Sequence, residues 1–386
     1  MDTVKLFPEC KDNLWGGVKL VEKYGKQTDK RPCAESWDIS FHPNGLTRLE
    51  NGKTLKESVT AAEIGKNAAG FDRFPMLVKF IDAAQDLSVQ VHPTDEIALR
   101  DYGSYGKTEM WYIVEAEEGA GIYLGFSEDV TKEECEKAIA NNTLSEKIRF
   151  YPVQKGQHYF VPSGTVHAIG AGCLIMEIQQ NSDLTYRIYD YGRRDKNGNL
   201  RELHVEKALE TSRLTAREKI DFCYPCAEGE RLGVSRYFTL NRCQINGKKA
   251  FKTDEGSFRA VTCTDGEGYV DGQKMQRGDT FFVPATRGEF IVEGNAEILV
   301  SEVRSYGLEL SAAAEGFLLT LCDDLGESFT QLFLPDADGV KDGYDEMLQK
   351  TGLTKYDVSF VVAESGVEPL AIERLSEVTG KPVASR

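Results

Sequence analysis

The chain has 386 residues, with 62 acidic against 46 basic side chains and a net charge of −16. That length accommodates two or three domains with real cores, and the charge excludes nucleic acid and acidic membrane surfaces as partners. No apolar run approaches the ~18 residues that a membrane-spanning helix needs, and Met1 to Pro8 lack the basic and apolar regions of a signal peptide, so a cytoplasmic protein is expected.

In chain order, alternation at 34–40 sets Ser36, Asp38 and Ser40 opposite Trp37 and Ile39, as in a strand. Asn44-Gly45 and Asn51-Gly52 are turn signals that predict hairpins over 46–55, and 56–66 reads as a short helix. Residues 74–83 read as a strand, and 87–92 as another, with Ser88, Gln90 and His92 on one face and Val89 and Val91 on the other. Glu109 opens a further strand, followed by one at 119–126. The period then changes: 127–140 reads as a helix inserted into the sheet scaffold, with Thr131 and Glu134 spaced as a capping box. Strands resume at 148–153, 159–161, 165–169 and 173–179, and 202–212 reads as helical. Cys223-Tyr224-Pro225-Cys226 falls in the linker that follows. It is a lone CxxC in an odd, scattered set of nine cysteines, which reads as reduced thiols rather than a zinc site or disulfide framework.

The second half echoes the first. Arg277-Gly278-Asp279-Thr280-Phe281-Phe282-Val283-Pro284-Ala285 aligns without gaps on Lys155-Gly156-Gln157-His158-Tyr159-Phe160-Val161-Pro162-Ser163, and the same register puts Glu289 where His167 stood. No histidine follows His204, so the copy is structural and carries no metal chemistry. Beyond 305 the texture changes again, with helices at 344–350 and 369–379 and a strand at 358–363. Ser365-Gly366 between them reads as an ordinary turn. The expected organisation is a metal-binding domain at 1–225 with an insertion near 127–142, a second domain at 226–305 without ligands, and a small α/β extension at 306–386.

The candidate chemistry centres on the Gly156 to His167 stretch, where Pro162-Ser163-Gly164 forces a turn that aims His167 at one face. His92, His167, Glu109 and Gln90, on neighbouring strands, can converge on one divalent metal. Two neutral imidazoles, a carboxylate and an amide oxygen suit Zn²⁺, and are also compatible with Fe²⁺, Mn²⁺ or Co²⁺. His42, His158 and His204 take structural readings. Lys107 shares the face of Glu109, and Arg187 follows the 173–179 strand that carries Glu177, with Asp183 near the same end. A metal, carboxylates and Lys/Arg in one mouth suit a phosphorylated or otherwise anionic, hydroxyl-rich substrate.

The Gly156…Pro162-Ser163-Gly164…His167 string resembles the second cupin motif, which implies a mainly β protein of two cupin-like jelly-roll barrels. More narrowly, Leu14-Trp15-Gly16-Gly17, Glu35-Ser36-Trp37, Gln90-Val91-His92-Pro93, Gly106-Lys107-Thr108-Glu109-Met110-Trp111-Tyr112, Val161 to Ala168 and Ser182-Asp183…Arg187 resemble, in order, the short bacterial type I mannose-6-phosphate isomerases over roughly residues 1 to 300. The resemblance implies an aldose–ketose isomerase with one Zn²⁺ per chain on Gln90, His92, Glu109 and His167. It implies active-site roles for Arg187, Lys107 and Glu177, and substrate contacts at Trp15, Asp183 and Arg193. Two positions depart from the family: Thr94 follows His92-Pro93 where many relatives carry lysine, and Arg193 stands where longer members have one. A cupin oxygenase would prefer iron and an open facial site, against which the glutamine ligand and the Lys107/Arg187 pair speak. A non-catalytic sugar-phosphate-binding bicupin is the other reading, and isomerase activity surviving removal of the extension counts against it. Oligomeric state is left open by the sequence.

Overall fold

The computed structural model describes residues 1–194 and 198–385. Arg386, the last residue of the expected extension, lies outside them.

Two sheets make the first unit. One has six strands and the other five, and they are not joined into a single closed barrel. The six-stranded sheet is centred on Met76–Asp82, Cys173–Gln180 and Glu109–Ala116, hydrogen-bonded in that order. Cys173–Gln180 is buried at every position, so its apolar start Cys173–Met176 does not alternate, and its later polar residues Glu177, Gln179 and Gln180 are buried too. Its two faces still serve different ends. Leu174, Met176 and Ile178 join the large shared core, whereas Ile175 faces the second sheet among Trp111, Ile122, Leu124 and Ile169. Fully burying such side chains stabilises the fold by about 1.5–3 kcal/mol each. Glu177 and Gln179, two and four residues after Ile175, therefore point between the sheets as well.

The insertion is the helix Lys132–Ala140, shorter at its start than expected. Thr131 accepts from the Glu134 backbone N–H and Glu134 caps Thr131 in return, as the spacing predicted. A second helix, Asp95–Tyr102, has no counterpart in the sequence reading. Thr94 caps its start and Gly103, at φ 59°, ends it. The region expected to form a hairpin and one helix has instead isolated bridges at Arg48 and three one-turn helices, Leu55–Ser58, Ala61–Ile64 and Lys66–Ala69. Thr54 and Thr60 each start a capping box there, so the chain is divided by its own caps.

One eight-stranded sheet forms the second unit, with long strands Thr239–Lys252, Arg259–Val270 and Glu289–Glu302. It coils over itself, since Ile245, Val261, Phe281 and Phe290 of the same sheet share one core. Val4–Lys5, inside the expected first domain, is its edge strand. The CxxC is not in a linker: Tyr224–Cys226 is a strand paired with Gly229–Val234, which opens this sheet. The repeat is visible in the backbone. Thr280–Val283 matches His158–Val161, and Glu289 begins a strand as His167 does.

The extension is a five-stranded mixed sheet flanked by the helices Val340–Thr351 and Pro369–Thr379. The helices and the strand Val358–Ala363 agree with the sequence reading, but the antiparallel strands Tyr306–Ala313, Gly316–Asp323 and Ser328–Leu334 were not read from it. Phe160 of the first unit, Phe238 of the second and Leu321 of the extension belong to one continuous core. No helix among the described residues is long and apolar enough to cross a membrane.

Candidate active site

Register places the metal-ligand candidates. In the five-stranded sheet His167 pairs with Gln90 and Gln90 with Arg187, so the three lie in one row across adjacent strands. In the six-stranded sheet Glu109 pairs with Val161, the residue just before the Pro162 turn. The turn ties back to the same place: Gly164, at φ 82°, donates its N–H to the His92 carbonyl at 2.9 Å. Glycine takes that left-handed conformation without strain.

His92, Glu109 and His167 are 1%, 0% and 1% exposed, and their donor atoms all lie within 4.8 Å of one another. Among the described residues no other His, Cys, Asp or Glu group is so arranged. His92 Nδ1 donates to the Leu184 carbonyl at 3.0 Å and His167 Nδ1 to the Thr165 carbonyl at 2.8 Å. A carbonyl can only accept, so both Nε2 lone pairs turn to the centre, each 3.3 Å from a Glu109 carboxylate oxygen. Burial, then the Lys107 charge, pushes the His92 pKa down to about 3, which keeps the ring neutral as a ligand must be. Burial alone would raise the Glu109 carboxyl, but the Lys107 ammonium in contact with it holds it well below the usual carboxylate range.

This donor set fits a divalent metal. Glu109 Oε1 is a buried acceptor without a hydrogen-bond donor, and a cation already occupies part of the centre. Lys107 Nζ lies 3.0 Å from His92 Nε2 and in close contact with Glu109 Oε2. The Gln90 amide lies 3.3 Å from His167 Nε2, and a half-turn of that amide brings its oxygen inward.

Above the cluster opens a cavity of about 360 Å³, lined by Gln90, Lys107, Glu177, Trp15, Asp183 and Arg187 of the expected set. Register aligns one wall: Trp37, Lys79, Glu177 and Trp111 are successive cross-strand partners. Glu177 Oε1 is 3.0 Å from Lys79 Nζ and 3.5 Å from Lys107 Nζ, while its Oε2 accepts from Trp111 Nε1 at 3.0 Å. Burial would lower the Lys79 pKa, but Glu177, Glu35 and Glu109 outweigh it and hold the ammonium charged. Arg187 donates to Ser88 Oγ and to the Glu202 carbonyl, and its burial and the nearby Arg201 draw its pKa below the ordinary arginine value. Two guanidiniums that repel each other favour an anion between them.

Arg193 is not among the lining residues. It is turned to the Asp190 carboxylate and the Asp86 carbonyl, and Arg201 stands in the cavity wall instead. Lys79 and Arg201 were missed. A charged residue inside the buried Met76–Asp82 run was the available signal for Lys79, whereas nothing local marks Arg201. His158 donates to the Phe222 carbonyl at 2.7 Å, and His204 accepts from the Arg187 N–H at 3.2 Å, so both serve structure. His42, read as structural, lies 3.4 Å from Asp183 at the cavity rim.

The wall is braced from behind. Asp95 Oδ1 accepts at 2.8 Å from both the Gly106 N–H and the Gln180 amide, while its Oδ2 accepts from Tyr237. Gly106 precedes Lys107 and Gln180 follows Gln179, so one carboxylate fixes both stretches. A larger cavity of about 740 Å³ lies elsewhere and has no histidine in its walls; the donor cluster, not size, locates the chemistry.

Residues 3–118 match the family "Phosphomannose isomerase type I, catalytic domain", and 230–303 match "Mannose-6-phosphate isomerase, cupin domain". The chain is 36% identical over 320 residues to mannose-6-phosphate isomerase ManA of Bacillus subtilis, covering 78% of this chain and 100% of that protein. It is 34% identical over 301 residues to the mannose-6-phosphate isomerase of Streptococcus mutans, covering 75% and 94%. The solved mannose 6-phosphate isomerase from Bacillus subtilis superposes with a TM-score of 0.71 at 33% identity, over 78% of this chain and 99% of that one. A mannose 6-phosphate isomerase bound with zinc and yttrium shares the fold, with a TM-score of 0.63 at 16% identity over 78% and 99%.

Proposed function

This chain belongs to the type I mannose-6-phosphate isomerase family, and on that premise we propose that it interconverts mannose 6-phosphate and fructose 6-phosphate with zinc held by Gln90, His92, Glu109 and His167. The observation that carries this reading is the pair of inward Nε2 lone pairs facing Glu109 beneath a cavity that also holds Arg187 and Arg201. Bound there, the metal supplies Lewis-acid stabilisation of the oxyanion that develops as C1 and C2 exchange oxidation state.

The protein's own groups do the rest. Arg187 and Arg201 take the phosphate at the outer end of the cavity, which fixes C1 and C2 towards the cluster. Glu177, held between Lys79 and Lys107, is the proton acceptor at the wall; it removes the proton from C2 of the aldose and returns it to C1 through an enediol intermediate, while the O2 hydroxyl proton passes to O1. Lys107 contacts the two atoms that ligation would claim, His92 Nε2 and Glu109 Oε2, so filling the site frees its ammonium for the substrate oxygens. Trp15 covers one side and limits water, and Asp183, braced by Asn44 at 2.6 Å, meets the sugar hydroxyls. This assigns catalysis to the first unit, the second domain and extension acting as its support.

A coupled assay on mannose 6-phosphate tests the proposal, run on chelated protein and again with zinc restored. Turnover that returns with zinc, and a Glu177→Gln variant that binds substrate without turning it over, is the expected result. Full turnover in thoroughly chelated protein contradicts it.

A further inference from the structure

The larger cavity lies at the junction of all three units. Asn67 comes from the last one-turn helix and Phe71 from just after it, Arg236 from the second unit, and Lys355, Tyr356 and Lys381 from the extension. Its cations are of two kinds. Arg304 in its wall, like Arg231 and Arg259 nearby, is tied to a buried carboxylate. Among the described residues, the charged ends of Arg236, Lys355 and Lys381 meet neither a carboxylate nor a hydrogen-bond acceptor. Arg236 instead lies over rings, 5.3 Å from the centroids of both Phe71 and Tyr237, and Lys355 lies 5.1 Å from that of Tyr356. The carboxylates beside them are engaged: Glu377 pairs with Arg374 at 3.0 Å, and Asp357 accepts from the Arg236 and Thr354 N–H groups.

Three cations without an ion-pair partner on one cavity wall, in a chain of net charge −16, favour an anion there. We propose that the junction binds a phosphorylated small molecule, its phosphate oxygens held by Arg236, Lys355 and Lys381. The guanidinium offers a planar fork and the two ammoniums flexible point charges, a combination suited to a tetrahedral anion. A half-open space of about 740 Å³ takes a molecule of nucleotide or sugar-phosphate size. It does not take a polyanionic strand or a membrane, both of which the net charge repels. Because Lys355 and Lys381 belong to the extension, the site exists only in chains that carry it.

Calorimetry on the full-length chain tests this with three probes: inorganic pyrophosphate, a hexose 6-phosphate and an adenosine nucleotide. Each is titrated into wild type, into a Lys355→Gln/Lys381→Gln variant and into Arg187→Gln, with circular dichroism to verify folding. The expected result is that at least one probe binds wild type, loses about tenfold or more in affinity in the double variant and is unaffected by Arg187→Gln. Whichever probe binds tightest identifies what accompanies the phosphate. No probe binding wild type below about 1 mM, or binding lost only in Arg187→Gln, overturns the proposal, as does an unchanged affinity in the double variant.

Discussion

The two sheet units follow the same path with opposite chemistry. Val161 and Val283 are equivalent by the sequence repeat; Glu109 pairs with the first and Arg259 with the second. The same register sets the row Lys79, Glu177, Trp111, Tyr159 against Asn241, Val300, Val261, Phe281. Where the first unit sets its histidines and Glu109 beneath a cavity of about 360 Å³, the second has a cavity of about 330 Å³ at the equivalent place whose charges are spent on one another. It ties Arg259 to Glu228 and Glu302. Even His167 and Glu289 differ: both open a strand after the turn, but the histidine is buried and the glutamate exposed. A shared fold therefore supplies positions, and only the residues placed there decide whether a site exists.

The widest separation between the units is expected from paired substitutions. Glu109→Gln should lower kcat/KM by about 10³-fold or more while leaving the far-ultraviolet circular dichroism intact, because it removes the carboxylate proposed to hold the metal and the charge that orients Lys107. Arg259→Ala should do the reverse. It leaves Glu228 without its cation, Glu302 keeping Arg304, and costs about 1–3 kcal/mol by denaturant unfolding, with kcat retained in the folded fraction. A variant of Arg259 that loses activity while remaining fully stable would break the contrast.

A smaller effect is expected at the outer end of the cavity. Arg187→Ala removes charge-assisted hydrogen bonds worth about 1.5–3 kcal/mol, so KM for the sugar phosphate should rise about 10–100-fold. Arg193→Ala, whose side chain is held by Asp190, should raise it less, and equal effects would place both arginines on the substrate. Behind the wall, Asp95→Ala unties Gly106 and Gln180 from Tyr237. A roughly tenfold loss in kcat with little change in KM is expected, as for a group that acts by positioning. A KM effect alone would mean that Asp95 shapes only the pocket.

The smallest effect is a pH dependence. Burial lowers the pKa of His158 from its ordinary 6.5, outweighing the backbone carbonyl it donates to and the Asp221 charge, which both raise it. The unfolded chain therefore binds more protons below that value, so the stability contributed by neutral His158 is present above pH ~6.5 and is lost as pH falls. Wild type should lose more Tm between about pH 7.5 and 5.5 than His158→Asn, which cannot titrate. Parallel losses would remove His158 as a source of acid sensitivity.

Much of this was legible because it is written in local spacing. The alternation around Gln90 and His92, the Pro162-Ser163-Gly164 turn and the Thr131/Glu134 box each constrain backbone within a few residues, and the structure follows them. What escaped depends on distant chain. Arg201 reaches the cavity only because strands far apart in sequence converge, and Arg193, beside Asp190 three residues earlier, is drawn away to the distant Asp86 carbonyl. The Asp95–Tyr102 helix was hidden by its mean polarity, since only Ala98 of it is buried. The strands from Tyr306 to Leu334 alternate too weakly beside their turns to be told from loops, although their pairing is regular in space.

The most direct test of the account is the metal content of the purified full-length chain, measured by elemental analysis beside folded His167→Ala, with isomerase activity followed in both. The account predicts one divalent ion per wild-type chain, its near-complete loss in the variant, and activity that falls in step with the metal. Metal retained at full stoichiometry in His167→Ala, or activity independent of metal content, would contradict it.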